Sequence, residues 1–243
     1  MKEIIITSGG TSENIDSVRK ITNNSSGKLG SIIANIFAEN YQKNFEKIYY
    51  VCSKNSVKPN KNNKIEIIEI TNVDSLKNTM ENLLKTKDID CVIHSMAVSD
   101  YTTNYVSNAD IFAENLENLP KNKLKTQILS KNLAIYAENK ISSCCDNLIV
   151  VLKQTPKIIN LIKKIKPNLT LVGFKLVVNK TEEELTEIAT NLMDKNGCDF
   201  VLANDLKNIN QNNHYAFILD KNLNKTFCTT KQEIAQNLAH KLF

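Results

Sequence analysis

Glycine is scarce in this sequence, with six residues among 243, and four of the six lie at positions 9, 10, 27 and 30. Two familiar glycine-rich motifs are absent. The chain has no P-loop, which needs a longer spacing between its first glycine and Gly-Lys-Ser/Thr, and no dinucleotide-binding G-x-G-x-x-G. These absences exclude the two best-known phosphate-binding loops, while the clustering of the glycines marks the N-terminal segment as special.

Cysteine and histidine patterns with a known chemistry are also absent. The six cysteines show no C-x-x-C spacing, which argues against a zinc site or a redox motif, and Cys52, Cys91 and Cys198 are predicted to be buried thiols. None of the three histidines lies in a glycine-rich stretch, so a Ser-His-Asp hydrolase is unsupported. His94, at the end of a predicted strand, is expected to be a satisfied core residue.

The sequence also lacks the features of membrane and nucleic-acid proteins. No apolar stretch approaches the length of a membrane span, and the first residues lead into a strand without a signal-peptide pattern. The net charge of +5 is modest, and no basic cluster with interleaved aromatic residues is found. We therefore expect a cytoplasmic protein with reduced thiols and with neither nucleic acid nor membrane as a partner.

Strand and helix patterns alternate along most of the chain. Such alternation is typical of βαβ units, so we predict an α/β, Rossmann-like fold whose mostly parallel sheet is flanked by helices. Short apolar runs predict the strands. They cover residues 4–6, 48–52, 65–70, 91–94, 148–152, 169–174 and 200–203, the last broken by Asn204-Asp205, and then a C-terminal β-hairpin of 215–219 and 225–228.

Helices are predicted where apolar residues recur on one face, at 29–37, 76–84, 185–193 and 234–242. Thr181 and Glu184 form a capping-box pattern before the third of these, and Gly197 ends it. A further helix is expected to have Pro156 in its first turn and Pro167 after its end.

The pattern weakens over residues 101–146, where we predict no clear strand and only helical patches at 109–115 and 129–138. A stretch of this length between sheet elements is typical of a functional excursion, so residues 102–146 are predicted to form a long mid-chain lid-like insertion. Because no internal repeat and no convincing linker is found, residues 1–243 are expected to form a single domain.

The N-terminal segment has the character of a ligand site. Ser8-Gly9-Gly10-Thr11 follows the first strand directly, and a second run of small polar residues, 23–27, opens a helix at Lys28. A strand, a glycine turn and a helix N-terminus form an arrangement suited to anions. A turn required only by the βα connection would explain Gly9 and Gly10, but it would not explain the second run.

Further candidates lie near the carboxyl ends of the predicted strands, where open α/β sheets bind their ligands. Asp100 is placed to accept hydrogen bonds from two ribose hydroxyls, or else to cap a helix or turn. Arg19 could hold a phosphate or form a surface ion pair. Asn23 could hold a carbonyl or acyl-phosphate oxygen, or be an ordinary loop residue. The run Gly173-Phe174-Lys175 completes this set.

Two other function classes stay open. Tyr136 and Lys140 satisfy Tyr-x-x-x-Lys, the catalytic pair of short-chain dehydrogenases, and would make the chain an NAD(P) oxidoreductase. Against that reading, the glycine-rich fingerprint of the dehydrogenases is missing from the first turn. The other alternative is a nucleotide-binding module without catalytic activity.

The motifs of the chain resemble those of the phosphopantothenate–cysteine ligases. The resemblance follows the family's order over nearly the whole chain, at residues 6–11, 16–19, 21–30, 97–101, 172–174 and 203–205. It implies a step of coenzyme A biosynthesis that uses CTP and Mg²⁺: the carboxylate of 4′-phosphopantothenate attacks CTP, and L-cysteine displaces CMP from the acyl-cytidylate. Since the decarboxylase half that many bacteria fuse in front is not found, the chain resembles the stand-alone bacterial form, and the resemblance implies a homodimer.

By position, the resemblance also assigns roles to individual residues. Asn23 would hold the acyl-cytidylate, Asp100 would bind the ribose, and Phe174 would lie near the cytosine. Arg19 and Ala97 would meet the phosphopantothenate. The nucleotide and intermediate pocket would be lined by Gly9, Gly10, Thr11, Ser25, Ser26 and Gly27.

The middle of the chain departs from the family pattern. The fused enzymes carry a lysine-rich motif on a flap soon after the Asp-Tyr pair, whereas the nearest match here is 140–143, with Lys140 as its one lysine. Lys140 is assigned to phosphate binding as a catalytic residue, with a solvated lysine at a helix end as the alternative. Met96 and Lys175 also differ from the usual residues, which leaves the choice between CTP and ATP open.

Overall fold

A computed structural model describes residues 2–135, 141, 146–210 and 213–243. The chain forms two compact units. The first, here called the sheet unit, comprises Met1–Thr11, Asn24–Val98 and Lys157–Phe243. The second, the insertion unit, comprises Ser12–Asn23 and Ser99–Pro156, so it extends beyond the predicted 102–146. The expectations of a single ligase domain and of a lid stay predictions.

The elements of both units follow one another along the chain. They are β1 (Glu3–Ser8), β2 (Ser12–Asn14), β3 (Lys20–Thr22), α1 (Lys28–Asn40), β4 (Lys47–Ser53), β5 (Ile65–Ile70), α2 (Val73–Thr86), β6 (Ile89–His94), β7 (Tyr101–Asn108), α3 (Ala109–Glu114), α4 (Lys121–Leu129), a 3₁₀ turn (Lys131–Leu133), β8 (Leu148–Gln154), α5 (Ile159–Ile165), β9 (Thr170–Val177), α6 (Glu182–Asn196), β10 (Phe200–Ile209), β11 (His214–Asp220), β12 (Lys225–Cys228) and α7 (Lys231–Leu242).

The sheet unit is built on an eight-stranded sheet in the order β12-β11-β10-β9-β6-β1-β4-β5. The strands from β10 to β5 are parallel, and β11 is antiparallel to both of its neighbours. The chain moves outward from β1 through β4 to β5, and then returns to place β6 on the other side of β1. The strand order therefore reverses at β1, which is the switch point where open α/β sheets bind ligands. The predicted Rossmann-like fold is confirmed.

Helices cover both faces of this sheet. One buried cluster packs α2, α5 and α6 against one face, through residues such as Leu76, Ile162 and Ala189. The other cluster packs α1 and α7 against the opposite face, through residues such as Phe37 and Leu238. Because both faces are covered, the central strands are apolar on both sides and read as continuous apolar runs.

The predicted helix signals of α6 are confirmed. The Thr181 side chain accepts a hydrogen bond from the Glu184 backbone N–H at 3.3 Å, and the Glu184 carboxylate accepts the Thr181 N–H at 2.9 Å. Gly197 ends the helix in the left-handed conformation, with φ of 65°. In the described part of the chain, no helix is long and apolar enough to cross a lipid bilayer.

Two predictions about the sheet unit are wrong in detail. Helix α5 begins at Ile159 and its cap residue is Ile158, so Pro156 precedes the helix instead of lying in its first turn. Strand β10 is not broken at Asn204-Asp205, since its pairing with β9 continues to Asp205. Within β10, the Asp205 carboxylate accepts the backbone N–H groups of Asn179 and Lys180, which follow β9, and of Lys207.

The insertion unit contains a strand pair that the sequence did not predict. Strand β7 pairs antiparallel with β8, so the prediction of no clear strand over residues 101–146 is wrong. The strand was missed because Thr102, Thr103 and Asn104 hide the apolar alternation that marks a half-buried strand. Strand β8 was predicted, but it pairs with β7 rather than with the main sheet. A small hairpin of β2 and β3 belongs to the same unit.

Of the two helical patches predicted in this unit, one is confirmed and the other is wrong over its described residues. Helix α3 confirms the patch at 109–115. The patch at 129–138 is wrong over its described residues, because α4 ends at Leu129 and only a 3₁₀ turn follows. Residues 136–138 of that patch lie outside the described residues.

Candidate functional site

The glycine turn after β1 is tied directly to the second run of small residues. The Ser8 hydroxyl donates to the Gly27 carbonyl at 2.9 Å, and Gly9 and Gly27 have φ of 83° and 74°. A Cβ built on Gly9 would lie 1.8 Å from Ser56 Oγ and 2.9 Å from Ser56 Cβ. Glycine is therefore required at both positions by backbone conformation, and at Gly9 by space as well.

The loop after β6 runs beside this turn. The Ala97 N–H donates to the Gly9 carbonyl at 2.8 Å, and the Thr11 N–H donates to the Ala97 carbonyl at 3.2 Å. An isolated parallel bridge joins Gly10 to Ala97. The structure thus brings together four predicted site residues, Gly9, Gly10, Thr11 and Ala97, at the switch point of the sheet.

The N-terminus of α1 completes this corner of the sheet unit. Its cap residue is Gly27, no side chain caps the helix, and its first turn contains no acidic residue. Ser26 Oγ accepts only a long hydrogen bond, 3.3 Å, from the Lys28 N–H. Backbone N–H groups and the positive end of the helix dipole are therefore available to an anion.

His94 and three buried thiols of the sheet unit are structural. Thr7 Oγ1 lies 2.9 Å from His94 Nδ1, and burial lowers the pKa of His94 to about 4, so the ring is neutral. This confirms His94 as a core residue. Cys52, Cys91 and Cys198 are buried as predicted, and burial raises the pKa of Cys52 to about 11 and that of Cys198 to about 12. These three thiols therefore stay protonated at neutral pH, and a protonated thiol is a poor nucleophile.

Gly173 and Phe174 lie within β9 and have different surroundings. A Cβ on Gly173 would lie 3.0 Å from Cys198 Sγ, so this glycine serves the packing of the sheet against its helices. Phe174 is half-buried, pairs with Leu202 of β10, and packs against the cluster of α1 and α7. Its side chain therefore lies on the same face of the sheet as the N-terminus of α1.

Sequence reasoning missed His214, which lies at the start of β11. Its Nε2 is 2.9 Å from Nδ2 of Asn204, a residue of the family-like motif at 203–205. His214 is 6% exposed, and its Nδ1 has no hydrogen-bond partner in the described part of the chain. No local motif in the sequence marks this residue, because the contact with Asn204 arises only from the β10–β11 pairing.

In the insertion unit, Arg19 forms the ion pair that was the alternative to phosphate binding. Its Nη1 lies 3.2 Å from the Asp16 carboxylate, whose side chain is fully buried. Asp16 also accepts the backbone N–H groups of Arg19, Val18 and Ile141 at 2.6, 2.8 and 3.2 Å. The N–H groups of Arg19 and Val18 are the main reason that the pKa of Asp16 is lowered.

We expect Asp16→Asn to destabilise the insertion unit at neutral pH, because an amide cannot replace the charge or the second acceptor oxygen. A lowered pKa in the folded state means that the ionised carboxyl stabilises the fold above its ordinary pKa and that this stabilisation is lost as the pH falls. Urea denaturation should thus separate wild type and variant at pH 7 and bring them together at acidic pH. A constant difference down to pH 3 would contradict this role.

Asn23 and Asp100 are two further sequence-predicted site residues of the insertion unit. Asn23 directly follows β3 and is half-buried, and Asp100 directly precedes β7 and is exposed. The Asp100 backbone carbonyl accepts the Thr155 N–H at 3.0 Å. Tyr136 and Lys140 lie outside the described residues.

The insertion unit also contains a cleft of about 930 Å³. It is lined mainly by polar side chains from the loop after β2, from β7 and from the 3₁₀ turn, including Asp16, Thr103, Tyr105 and Lys131. The volume is in the range of small-molecule sites. Among the described residues, none of those given a site role from the sequence lines it.

The family model described as the DNA/pantothenate metabolism flavoprotein C-terminal domain matches residues 1–126 and 130–243. The chain belongs to this family. A relative in Thermococcus kodakarensis, named coenzyme A biosynthesis bifunctional protein CoaBC, is 31% identical over 238 residues, which are 98% of this chain and 50% of the relative. This chain thus spans about half the length of that relative. The family resemblance noted in the motifs is confirmed.

Solved structures agree with this assignment. The DNA/pantothenate metabolism flavoprotein from Streptococcus pneumoniae is 39% identical, has a TM-score of 0.84, and is covered over 97% of its chain by 99% of this one. A Cab2 mutant in complex with phosphopantothenate-cysteine has a TM-score of 0.70 and 17% identity, with 99% of this chain and 86% of that chain covered. At that identity the second likeness shows the fold alone.

Proposed function

We propose that this chain joins 4′-phosphopantothenate to L-cysteine in a CTP-dependent step of coenzyme A biosynthesis. The observation that carries the proposal is the turn at the switch point, where Gly9, Gly27 and Ala97 meet beside the uncapped N-terminus of α1. Membership of the pantothenate flavoprotein family supports it. So does the name of the Thermococcus relative, a coenzyme A biosynthesis protein.

In the first step, a carboxylate oxygen of 4′-phosphopantothenate attacks the α-phosphorus of CTP. The bond from that phosphorus to the bridging oxygen breaks, and pyrophosphate leaves with the electron pair. The small residues of the turn let backbone N–H groups approach the phosphate, and the end of α1 favours its negative charge. The residues assigned to this pocket are Gly9, Gly10, Thr11, Ser25, Ser26 and Gly27.

In the second step, the amine of cysteine attacks the carbonyl carbon of the acyl-cytidylate. The bond from that carbon to the phosphate oxygen breaks, CMP leaves, and the amine loses its proton as the amide forms. We assign Asn23 to the carbonyl oxygen of the intermediate, because a neutral amide N–H can stabilise the developing charge. Water has to be excluded, since hydrolysis would return the free acid.

The remaining assignments concern recognition. Asp100 would accept hydrogen bonds from the ribose hydroxyls, and the half-buried Phe174 would lie beside the cytosine. By family resemblance, a role in phosphopantothenate binding is assigned to Arg19, which is oriented by Asp16, and separately to Ala97. Lys140 would bind phosphate, an assignment that rests on sequence position alone.

The metal requirement is also a proposal. Among the residues that the structure describes, no group of three or more His, Cys, Asp or Glu side chains could hold a metal ion. We propose that Mg²⁺ is held largely by the nucleotide phosphates, as is common for this ion. No step above depends on a protein ligand to the metal.

Three further expectations stay predictions: a homodimer, a cytoplasmic location, and a lid over residues 102–146. The oxidoreductase alternative gains no support, because Tyr136 and Lys140 lie outside the described residues and the chain belongs to the pantothenate family.

The test is pyrophosphate release by the purified chain with CTP, ATP or UTP, each with and without 4′-phosphopantothenate and cysteine. We expect release that requires 4′-phosphopantothenate, is fastest with CTP, and does not require cysteine for its first turnover. Nucleotide binding without release would reduce the chain to a binding module. Release that is independent of 4′-phosphopantothenate would reject the proposed substrate.

A further inference from the structure

Helices α1 and α7 lie side by side and point in the same direction. At their C-terminal ends, the centroid of the Phe243 ring lies 5.0 Å from the centroid of the Phe37 ring and 5.4 Å from that of the Tyr41 ring. The helices are of similar length, 13 and 12 residues, so their N-termini also come together. The positive ends of two helix dipoles are therefore adjacent, beside the turn that contains Gly27.

A lysine is the first residue of each helix. Lys28 begins α1 and is exposed, and Lys231 begins α7 and is half-buried. Burial, and secondarily the charge of Lys28, lower the pKa of Lys231. Among the described residues, neither ammonium group forms an ion pair with a carboxylate. The two ammonium groups repel each other, and each is also repelled by the positive end of its helix dipole. Placing two lysines here therefore costs folding free energy.

A buried donor without a partner lies on the same face of the sheet. His214 alternates with Ala216 and Ile218, which belong to the cluster under α1 and α7, and its backbone N–H donates to the Thr229 carbonyl at 2.7 Å, just before α7. With the Asn204 amide donating to Nε2, the ring proton lies on Nδ1, for which the residues that the structure describes provide no acceptor. Burial, and secondarily the charge of Lys231, lower the pKa of His214 to about 4, so the ring is neutral.

We propose that Lys28, Lys231 and the His214 N–H bind the terminal diphosphate of the nucleotide, the part that leaves as pyrophosphate. This assignment rests on the proposed function, because it extends the phosphate pocket at Ser26 and Gly27 onto the start of α7. A diphosphate, rather than the single phosphate of 4′-phosphopantothenate, matches a site with two unpaired cations. When the bond between the α-phosphorus and the bridging oxygen breaks, these cations would stabilise the negative charge that develops on pyrophosphate.

The test is a set of binding titrations with CTP, CMP, inorganic pyrophosphate and 4′-phosphopantothenate, on the full chain at constant Mg²⁺. We expect Lys231→Gln to weaken CTP and pyrophosphate by about tenfold or more and to leave CMP within about twofold, since it removes one charge-assisted contact to the leaving group. Lys231→Arg should restore most of the affinity. The matched control is Lys241→Gln, which removes the same charge from the last turn of α7.

Each outcome separates this inference from the proposed function. Unchanged binding of CTP and pyrophosphate in Lys231→Gln overturns the inference, and so does a loss confined to 4′-phosphopantothenate. Equal losses for CMP and CTP also overturn it, because they indicate general damage. The wild-type chain could instead bind pyrophosphate but not CTP, with Lys231→Gln weakening pyrophosphate binding. That result supports the anion site and rejects the ligase proposal. A wild-type chain that binds neither ligand rejects both.

Discussion

Replacing Asn23 with alanine is expected to slow amide formation by about a hundredfold or more while pyrophosphate is still released, as is typical when one donor to an oxyanion is removed. The physical reason lies in the two half-reactions. In the first, charge develops on phosphate oxygens, which the glycine turn and the end of α1 would stabilise. In the second, charge develops on the carbonyl oxygen assigned to Asn23. Acyl-cytidylate should therefore accumulate in the variant.

The measurement is a single-turnover experiment in which pyrophosphate, acyl-cytidylate and the amide product are followed by rapid quench and mass spectrometry. Asn24→Ala is the matched control, because Asn24 is the neighbouring residue, is exposed, and has no assigned role. Wild-type rates of amide formation in Asn23→Ala would remove this residue from the mechanism. An equal loss in Asn24→Ala would point to distortion of the loop instead.

Replacing Gly9 with alanine is expected to lower the free energy of unfolding by about 3 kcal/mol, through backbone strain and crowding together. The φ of 83° is a left-handed value that alanine disfavours. The new Cβ would also lie 2.9 Å from Ser56 Cβ, so rotation of the Ser56 hydroxyl alone cannot relieve the contact. Variant protein that does fold should bind CTP more weakly, because Gly9 contacts the loop that contains Ala97.

Gly197→Ala separates the two causes of this effect. Gly197 also has a positive φ, 65°, but the nearest atom to its added Cβ would be Lys163 Cγ at 3.7 Å. Backbone strain alone should cost about 1 kcal/mol there. Urea denaturation of both variants, followed by circular dichroism, measures the difference. Equal losses in the two variants would show that Ser56 does not crowd position 9.

The parallel sheet could be predicted from the sequence because its strands are buried on both faces. Residues 4–6, 48–52 and 91–94 therefore appear as continuous apolar runs, which a single pass along the chain detects. Strand β7 could not be found in this way, since Thr102, Thr103 and Asn104 occupy its first half and its partner β8 lies far along the chain. The full length of β10 could not be predicted for a similar reason. The Asp205 carboxylate accepts hydrogen bonds from the turn after β9, which is far from Asp205 in the sequence.

Some residues of the candidate site could likewise be predicted from the sequence, and others could not. Gly9 and Gly27 could be predicted, because local backbone conformation requires glycine at a strand end and at a helix start. His214 and Lys231 could not, since neither lies in a motif and both reach this end of the sheet through the β10–β11 pairing and the parallel packing of α1 and α7. The roles given to Asn23, Asp100 and Lys140 come from family resemblance, and they stay predictions.

The path of one oxygen atom tests the ligase proposal most directly. The purified chain would be given 4′-phosphopantothenate labelled with ¹⁸O in both carboxylate oxygens, together with CTP, Mg²⁺ and cysteine, and the products would be weighed by mass spectrometry. We predict that one ¹⁸O appears in CMP, one remains in the amide carbonyl, and none enters pyrophosphate. Label in inorganic phosphate, or CMP without label, would contradict an acyl-cytidylate and with it the proposed chemistry of the glycine turn.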